Sequence, residues 1–456
     1  MLWPAFTSFG RRTEQYSDNQ FFLLDQAENE TKTGADASRP ATSTVSQGHQ
    51  LGGRWLDSRF LASVVILLLP LVAWITWRQG RSRKAAESAI MRIEGGSMAP
   101  SIIGTHRVAV CDSCHLRWPV TAETDSDTSS TICFHCGQAA TVTESVTRGD
   151  VVQVQPIDLS NGTNPNCGDL VAVRWDGKQR VKRVLGTPGD RVDIRGPMLV
   201  VNGQRFDDVL LRDADRVFPL PWMLVDDDSK RTKSRWQSAD GWTRNDSCAW
   251  VSKDAVWLVY HHRSHHDQNR TSRIWDDYPS NVNVDRKLYP VDRLRITLDS
   301  PEPAGVEFEV AFWAPNGNHS VTLLTSGERS LAVDNSLIGS RTDAPVDPEH
   351  PIAIRSASLI RFAGIKLERA NQYRIRPEDD PSTYPLTLGD NEYFVVGDNT
   401  PISIDSRSIG TVTGQQIDGI VFPHTHAFAE KPSRDSSVRS PISQSASEIR
   451  PTSSLD

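Results

Sequence analysis

No concentration of positive charge marks this 456-residue chain. Its 50 Lys and Arg are set against 57 Asp and Glu, and the formal net charge of −7 is spread along it. The electrostatic footprint of a nucleic-acid-binding protein is therefore excluded. Internal repeats are missing, and sustained helical periods are few. The 27 prolines and 29 glycines break the chain often, which favours β structure and loops. Apolar runs of membrane length are lacking too, with one exception, Phe60 to Trp77. Cysteine is scarce, six residues in all, yet four of them fall into two C-x-x-C pairs. A chain this long has room for two or three domains.

The exceptional run, Phe60 to Trp77, carries no charge and approaches the ~20 residues a spanning helix needs. Pro70 is tolerable there, and Trp74 and Trp77 suit an interface belt. The run is apolar on every side, so a transmembrane helix over 58–78 is expected rather than a core helix. A polar tail, 1–57, precedes it, which argues against a cleaved signal peptide. That tail and 429–456 lack any apolar period and read as disordered. Between them lie short β-branched and aromatic runs such as Leu170-Val171-Ala172-Val173 and Tyr393-Phe394-Val395-Val396, so the fold class expected is mainly β. Residues 204–388 contain no catalytic pattern and read as a β-rich insertion. Regularly spaced strand candidates make its part from about 290 to 378 sandwich-like.

Three clusters carry chemistry. In Gly95-Gly96-Ser97-Met98-Ala99-Pro100 a turn presents the Ser97 hydroxyl without crowding. In Val181-Lys182-Arg183-Val184 an apolar strand holds Lys182 just before the turn Pro188-Gly189-Asp190. A lysine on an apolar face loses hydration, and its pKa falls from about 10.4. The neutral amine is then a competent general base for a serine. An arbitrary Lys-Arg pair would instead be a surface lysine beside Arg183. The third cluster runs from Val396-Gly397-Asp398-Asn399 through Thr400-Pro401-Ile402 to Ser403-Ile404-Asp405-Ser406-Arg407. Ser403 could accept a hydrogen bond from the lysine, and Asp405 with Arg407 could brace the loop as an ion pair.

In order and in kind, these clusters resemble the boxes of the bacterial type I signal peptidases, the membrane-bound Ser-Lys leader peptidases of the S26 family. Arg148-Gly149-Asp150-Val151 and Gly168-Asp169-Leu170-Val171 resemble that family's two Gly-Asp strand openings. The resemblance implies a β catalytic core assembled from 90–110, 146–203 and 389–428. It implies that Ser97 attacks the scissile carbonyl, that Lys182 takes and returns the proton, and that Ser403 orients the lysine. Asp405 and Arg407, with Asp398 and Asn399 of the closing box, would support the site. The Ser97 backbone N–H would stabilise the oxyanion. Gly95 stands where some members carry a hydroxyl, so no side-chain donor is implied there. Thr400-Pro401-Ile402 replaces the usual charged and polar residues without moving Ser403, Asp405 or Arg407 out of register.

The expected activity is a serine endopeptidase that removes signal peptides after small residues of the Ala-x-Ala type, with no cofactor for catalysis. Its partners would be exported preproteins, membrane lipid and the export machinery, with no nucleic acid. Arg78, Arg81, Arg83 and Lys84 follow the apolar run, against Arg54 and Arg59 before it, and taken alone this would leave the C-terminal bulk in the cytoplasm. The resemblance instead implies a single-pass protein of the cell membrane with its catalytic domain on the trans side. The alternative is a membrane-tethered binding protein on a peptidase-like scaffold, which the intact serine, lysine and closing box disfavour.

Cys111, Cys114, Cys133 and Cys136 have the spacing of a zinc ribbon, expected over 111–140, whose four thiolates would hold a structural zinc. Disulfides are the rival in an exported domain. Cys167 and Cys248 read as separate free thiols. The run His261-His262-Arg263-Ser264-His265-His266 reads as a solvated loop.

Overall fold

Alternation organises this molecule. In β2 (His106–Cys111) every second side chain is buried, the period of a strand with one face on a core. β7 (Leu170–Trp175) and β8 (Lys178–Gly186) instead have consecutive buried residues. Leu170 and Ala172 pack into one apolar cluster and Val171 and Val173 into another. The sheet holding them is therefore covered on both faces.

The computed structural model describes residues 88–122, 128–157, 164–213, 215–282, 284–337 and 339–424. The chain divides into Met1–Thr76 and Trp77–Asp456, and every described residue belongs to the second unit. The expected transmembrane helix over 58–78 and the tails 1–57 and 429–456 lie outside the described residues. Among the described residues no helix is long and apolar enough to cross a membrane.

The central sheet has seven antiparallel strands in the order β1 (Ala89–Arg92), β6 (Val151–Pro156), Ile417–Pro423, β7, β8, Glu392–Val396 and Val412–Thr413. It draws on chain segments far apart in sequence and brings the lysine strand beside the strand that leads into the closing box. β2, β3 (Arg117–Thr121), β4 (Ser130–Ile132) and β5 (Ala139–Val142) form a separate sheet in the order β3-β2-β5-β4. This cysteine-bearing sheet begins at His106, where His106 and Thr147 exchange backbone hydrogen bonds.

Two further sheets share one apolar core that includes Val225, Trp236, Leu258, Ile296, Phe308, Phe312, Ile354 and Leu367. The first has the strands Trp222–Asp227, Gly364–Ala370, Leu294–Asp299 and Ser330–Asp334. The second includes Leu258–Tyr260, Ile352–Arg355, Glu307–Phe312 and His319–Leu324. The facing strands thus start at Trp222, well before residue 290. Trp236–Gln237, Trp242–Arg244 and Trp250–Ser252 are too short to display a period of two. Trp222–Asp227 pairs antiparallel with Gly364–Ala370, so this part of the chain leaves and returns at one place.

The histidine run is not a solvated loop. His262 is buried with its Nδ1 beside the Tyr260 hydroxyl, and His266 Nε2 lies 3.1 Å from Asp277 Oδ2. The run packs because Leu258–Tyr260, the strand just before it, is an inner strand of the second sheet.

Candidate active site

The turn that carries Ser97 is a single 3-10 turn, Gly96–Met98, entered from β1. Met98 and Ile102 are each 1% exposed and anchor it in the core beneath the central sheet. A Cβ on Gly96 would lie 2.6 Å from Thr121 Cγ2, so β3 can pack this closely only against glycine. Ser97 is half-buried between these anchors.

Lys182 reaches the same place from β8. Its side chain is buried, and Nζ donates to Ser403 Oγ at 2.8 Å. Burial strips hydration from the ammonium and pulls its pKa down to about 8, against the opposing pull of Asp405. Gly397 shows how near the backbone of Ser97 is. A Cβ built there would sit 2.1 Å from Ser403 Oγ and 2.6 Å from the Ser97 carbonyl oxygen. The serine that receives the lysine's hydrogen bond and the backbone of Ser97 therefore crowd one point. Asn399 fastens them further: its N–H donates to Ser97 O at 3.0 Å and its Nδ2 to Gly96 O at 3.0 Å.

Asp405 and Arg407 form a buried two-pronged pair, with Nε to Oδ1 at 2.8 Å and Nη2 to Oδ2 at 2.7 Å. Burial would raise the Asp405 carboxyl, but the Arg407 guanidinium outweighs it and holds the carboxyl below its ordinary range. Asp405 also accepts from Gly397 N–H at 2.8 Å, and Arg407 Nη1 donates to the carbonyls of Arg374 and Thr400, each at 2.9 Å. The loop carrying Ser403 is thus held from inside by one ion pair.

Asp398 has a different partner. Successive side chains of a strand point to opposite faces, so Arg183 leaves β8 away from Lys182. It grips Asp398 at 2.8 and 2.7 Å, and Tyr373 Oη donates to the same carboxylate at 2.6 Å. Arg183 is a buried structural cation rather than a surface residue. Arg376, whose Nη1 donates to Ser403 O at 3.0 Å, is another residue that sequence reasoning passed over. Asn281 is a third, hydrogen-bonded to Asn399. Only for Arg183 was there a signal, since it sits inside a run of apolar strand residues.

The four cysteines converge at one end of their sheet, with all Sγ atoms within 4.8 Å of one another. Cys111 and Cys136 approach to 3.3 Å and Cys114 and Cys133 to 3.8 Å, and none is in a disulfide. Tetrahedral Zn–S bonds of about 2.3 Å would separate sulfurs by about 3.8 Å. The two turns are alike: His115 and Gly137 both have positive φ and donate N–H to the carbonyls of Cys111 and Cys133. His135 faces away from them, its Nε2 accepting from Asp227 N–H at 3.1 Å. Cys167 and Cys248 lie apart from this cluster and are free.

The family model described as signal peptidase, peptidase S26, matches residues 63–276 and 359–424, more than half of the chain. A search of curated proteins finds no match.

Proposed function

Because the chain belongs to the signal peptidase family, peptidase S26, we propose that it cuts signal peptides from exported preproteins with a Ser97–Lys182 dyad, after small residues of the Ala-x-Ala type. The observation that carries this reading is the buried amine of Lys182, bonded to a serine that crowds the backbone of Ser97.

Neutral Lys182 accepts the Ser97 proton as Oγ attacks the scissile carbonyl, and returns it to the leaving amine. The hydrogen bond with Ser403 fixes the direction of Nζ, so the lone pair meets the serine without a search through rotamers. The oxyanion takes the Ser97 N–H. Asp405 and Arg407 do no proton transfer in this scheme. Their role is to hold the Ser403 loop, with a second carboxylate kept from the lysine by its own arginine.

Cys111, Cys114, Cys133 and Cys136 fit a structural zinc. Four thiolates complete its tetrahedron and leave no position for a substrate, so its contribution is to the fold. A membrane tether in the apolar run Phe60–Trp77 would set the catalytic unit on the trans face, where preproteins emerge. Membrane lipid and the export machinery would be its surroundings.

The test is cleavage of a purified preprotein in detergent by the wild-type protein and by Ser97→Ala and Lys182→Ala. Both variants should lose cleavage, by more than about a thousandfold, while unfolding at the temperature of a folded protein. Robust cleavage by Lys182→Ala would overturn the dyad.

A further inference from the structure

We propose that Asn281, from a segment that the family model does not match, positions the nucleophile turn by fixing the side-chain amide of Asn399. The model stops at residue 276 and resumes at 359. Just past that boundary, Tyr278 to Asn281 lies against the closing box. Tyr278 Oη donates to Thr400 Oγ1 at 3.1 Å, and Asn281 and Asn399 form a reciprocal amide pair. Asn281 Nδ2 donates to Asn399 Oδ1 at 2.7 Å, and Asn399 Nδ2 donates to Asn281 Oδ1 at 2.8 Å.

The direction of that pair is set by chemistry. The Gly96 carbonyl can only accept, so Asn399 must turn its NH2 toward it, at 3.0 Å. The second N–H then serves Asn281 Oδ1, and Asn399 Oδ1 is left needing a donor, which Asn281 supplies. Without Asn281 the Asn399 oxygen is unpaired and the amide is held on this side only by its bond to Gly96 O. An amide free to shift loosens its grip on the Gly96 carbonyl and with it the turn that bears Ser97.

The segment is itself held by the cysteine-bearing sheet. Trp118 Nε1 donates to Pro279 O at 3.2 Å, and Thr121 donates to Ser280 O from N–H at 3.0 Å and from Oγ1 at 2.7 Å. The same Thr121 lies on Gly96. An element outside the matched core therefore acts on the geometry of Ser97 without touching the reacting atoms.

Asn281 works on the serine chemistry proposed above, so its test carries Ser97→Ala as a control in the full-length protein. Asn281→Ala deletes both hydrogen bonds. Asn281→Asp keeps the shape but replaces the donor with a carboxylate oxygen that repels Asn399 Oδ1. On one preprotein, kcat should fall about tenfold or more for Asn281→Ala, and further for Asn281→Asp, with KM little changed. The pH of half-maximal rate should stay at the wild-type value, because Lys182 is untouched. Wild-type kcat in Asn281→Ala beside an inactive Ser97→Ala would overturn the role of Asn281, as would Asn281→Asp cutting faster than Asn281→Ala. A shift of the pH midpoint would overturn it too, since the effect would then run through the base. Cleavage surviving in Ser97→Ala would instead overturn the serine chemistry itself.

Discussion

Lys182 is the proposed general base, and its burial has a thermodynamic signature separate from catalysis. Burial lowers its pKa from 10.5 to about 8. Between those values the unfolded chain holds a proton that the folded protein has released, so stability rises with pH across that window. Below about pH 8 both states are charged and the folded state bears the full cost of a desolvated ammonium. Lys182→Met removes that cost. Relative to wild type, its unfolding free energy should be most favourable near pH 7 and lose roughly 3 kcal/mol of that advantage by pH 10.5. Denaturant unfolding at the two pH values checks this, and a pH-independent difference would mean that Lys182 is not desolvated. The buried cations Arg183 and Arg407 behave differently because each has a dedicated anion, Asp398 and Asp405.

Turns and strands explain which parts of the site could be foreseen. A nucleophile turn and a closing loop are local, and their glycines and serines stand together in the sequence. Lys182 could be placed on a strand because apolar residues flank it. The partner of Arg183 could not be foreseen, since Asp398 lies 215 residues away and only sheet pairing brings the two together. The extent of the two-sheet part escaped for a related reason: the short strands Trp236–Gln237, Trp242–Arg244 and Trp250–Ser252 owe their conformation to partner strands rather than to their own pattern, and Trp250–Ser252 is tied to Arg361–Phe362 far along the chain. Asn281 carries no local signal at all. At Gly397 the packing is tight, and a methyl group there must displace Ser403 or the backbone of Ser97. Gly397→Ala should cost roughly 1–3 kcal/mol in thermal unfolding and should lower kcat more than KM. An active, equally stable Gly397→Ala would show that the loop has room the packing denies.

Across the whole molecule, the catalytic unit is assembled from pieces that do not touch in sequence. The central sheet takes strands from both ends of the described chain, while the cysteine-bearing sheet and the segment at 278–281 press on the nucleophile turn from outside. A zinc ion held by Cys111, Cys114, Cys133 and Cys136 would therefore support catalysis at a distance. Zinc analysis should find one ion per chain. A strong chelator should remove it and lower both the unfolding temperature and kcat, and added zinc should restore both. Loss of zinc with no change in either would separate that sheet from the site. The sequence made the four-thiol centre legible through spacing alone. Its mechanical connection to Ser97 was not legible, because it passes through backbone carbonyls at Pro279 and Ser280 that no residue pattern records.

The pH dependence of kcat/KM on a single preprotein tests the central claim most directly. With Lys182 as the general base, the rate should rise as pH increases and reach half its maximum near pH 8, where burial places the amine. A profile flat from pH 6 to 9, or one that rises only near the ordinary lysine value of about 10.4, would contradict it.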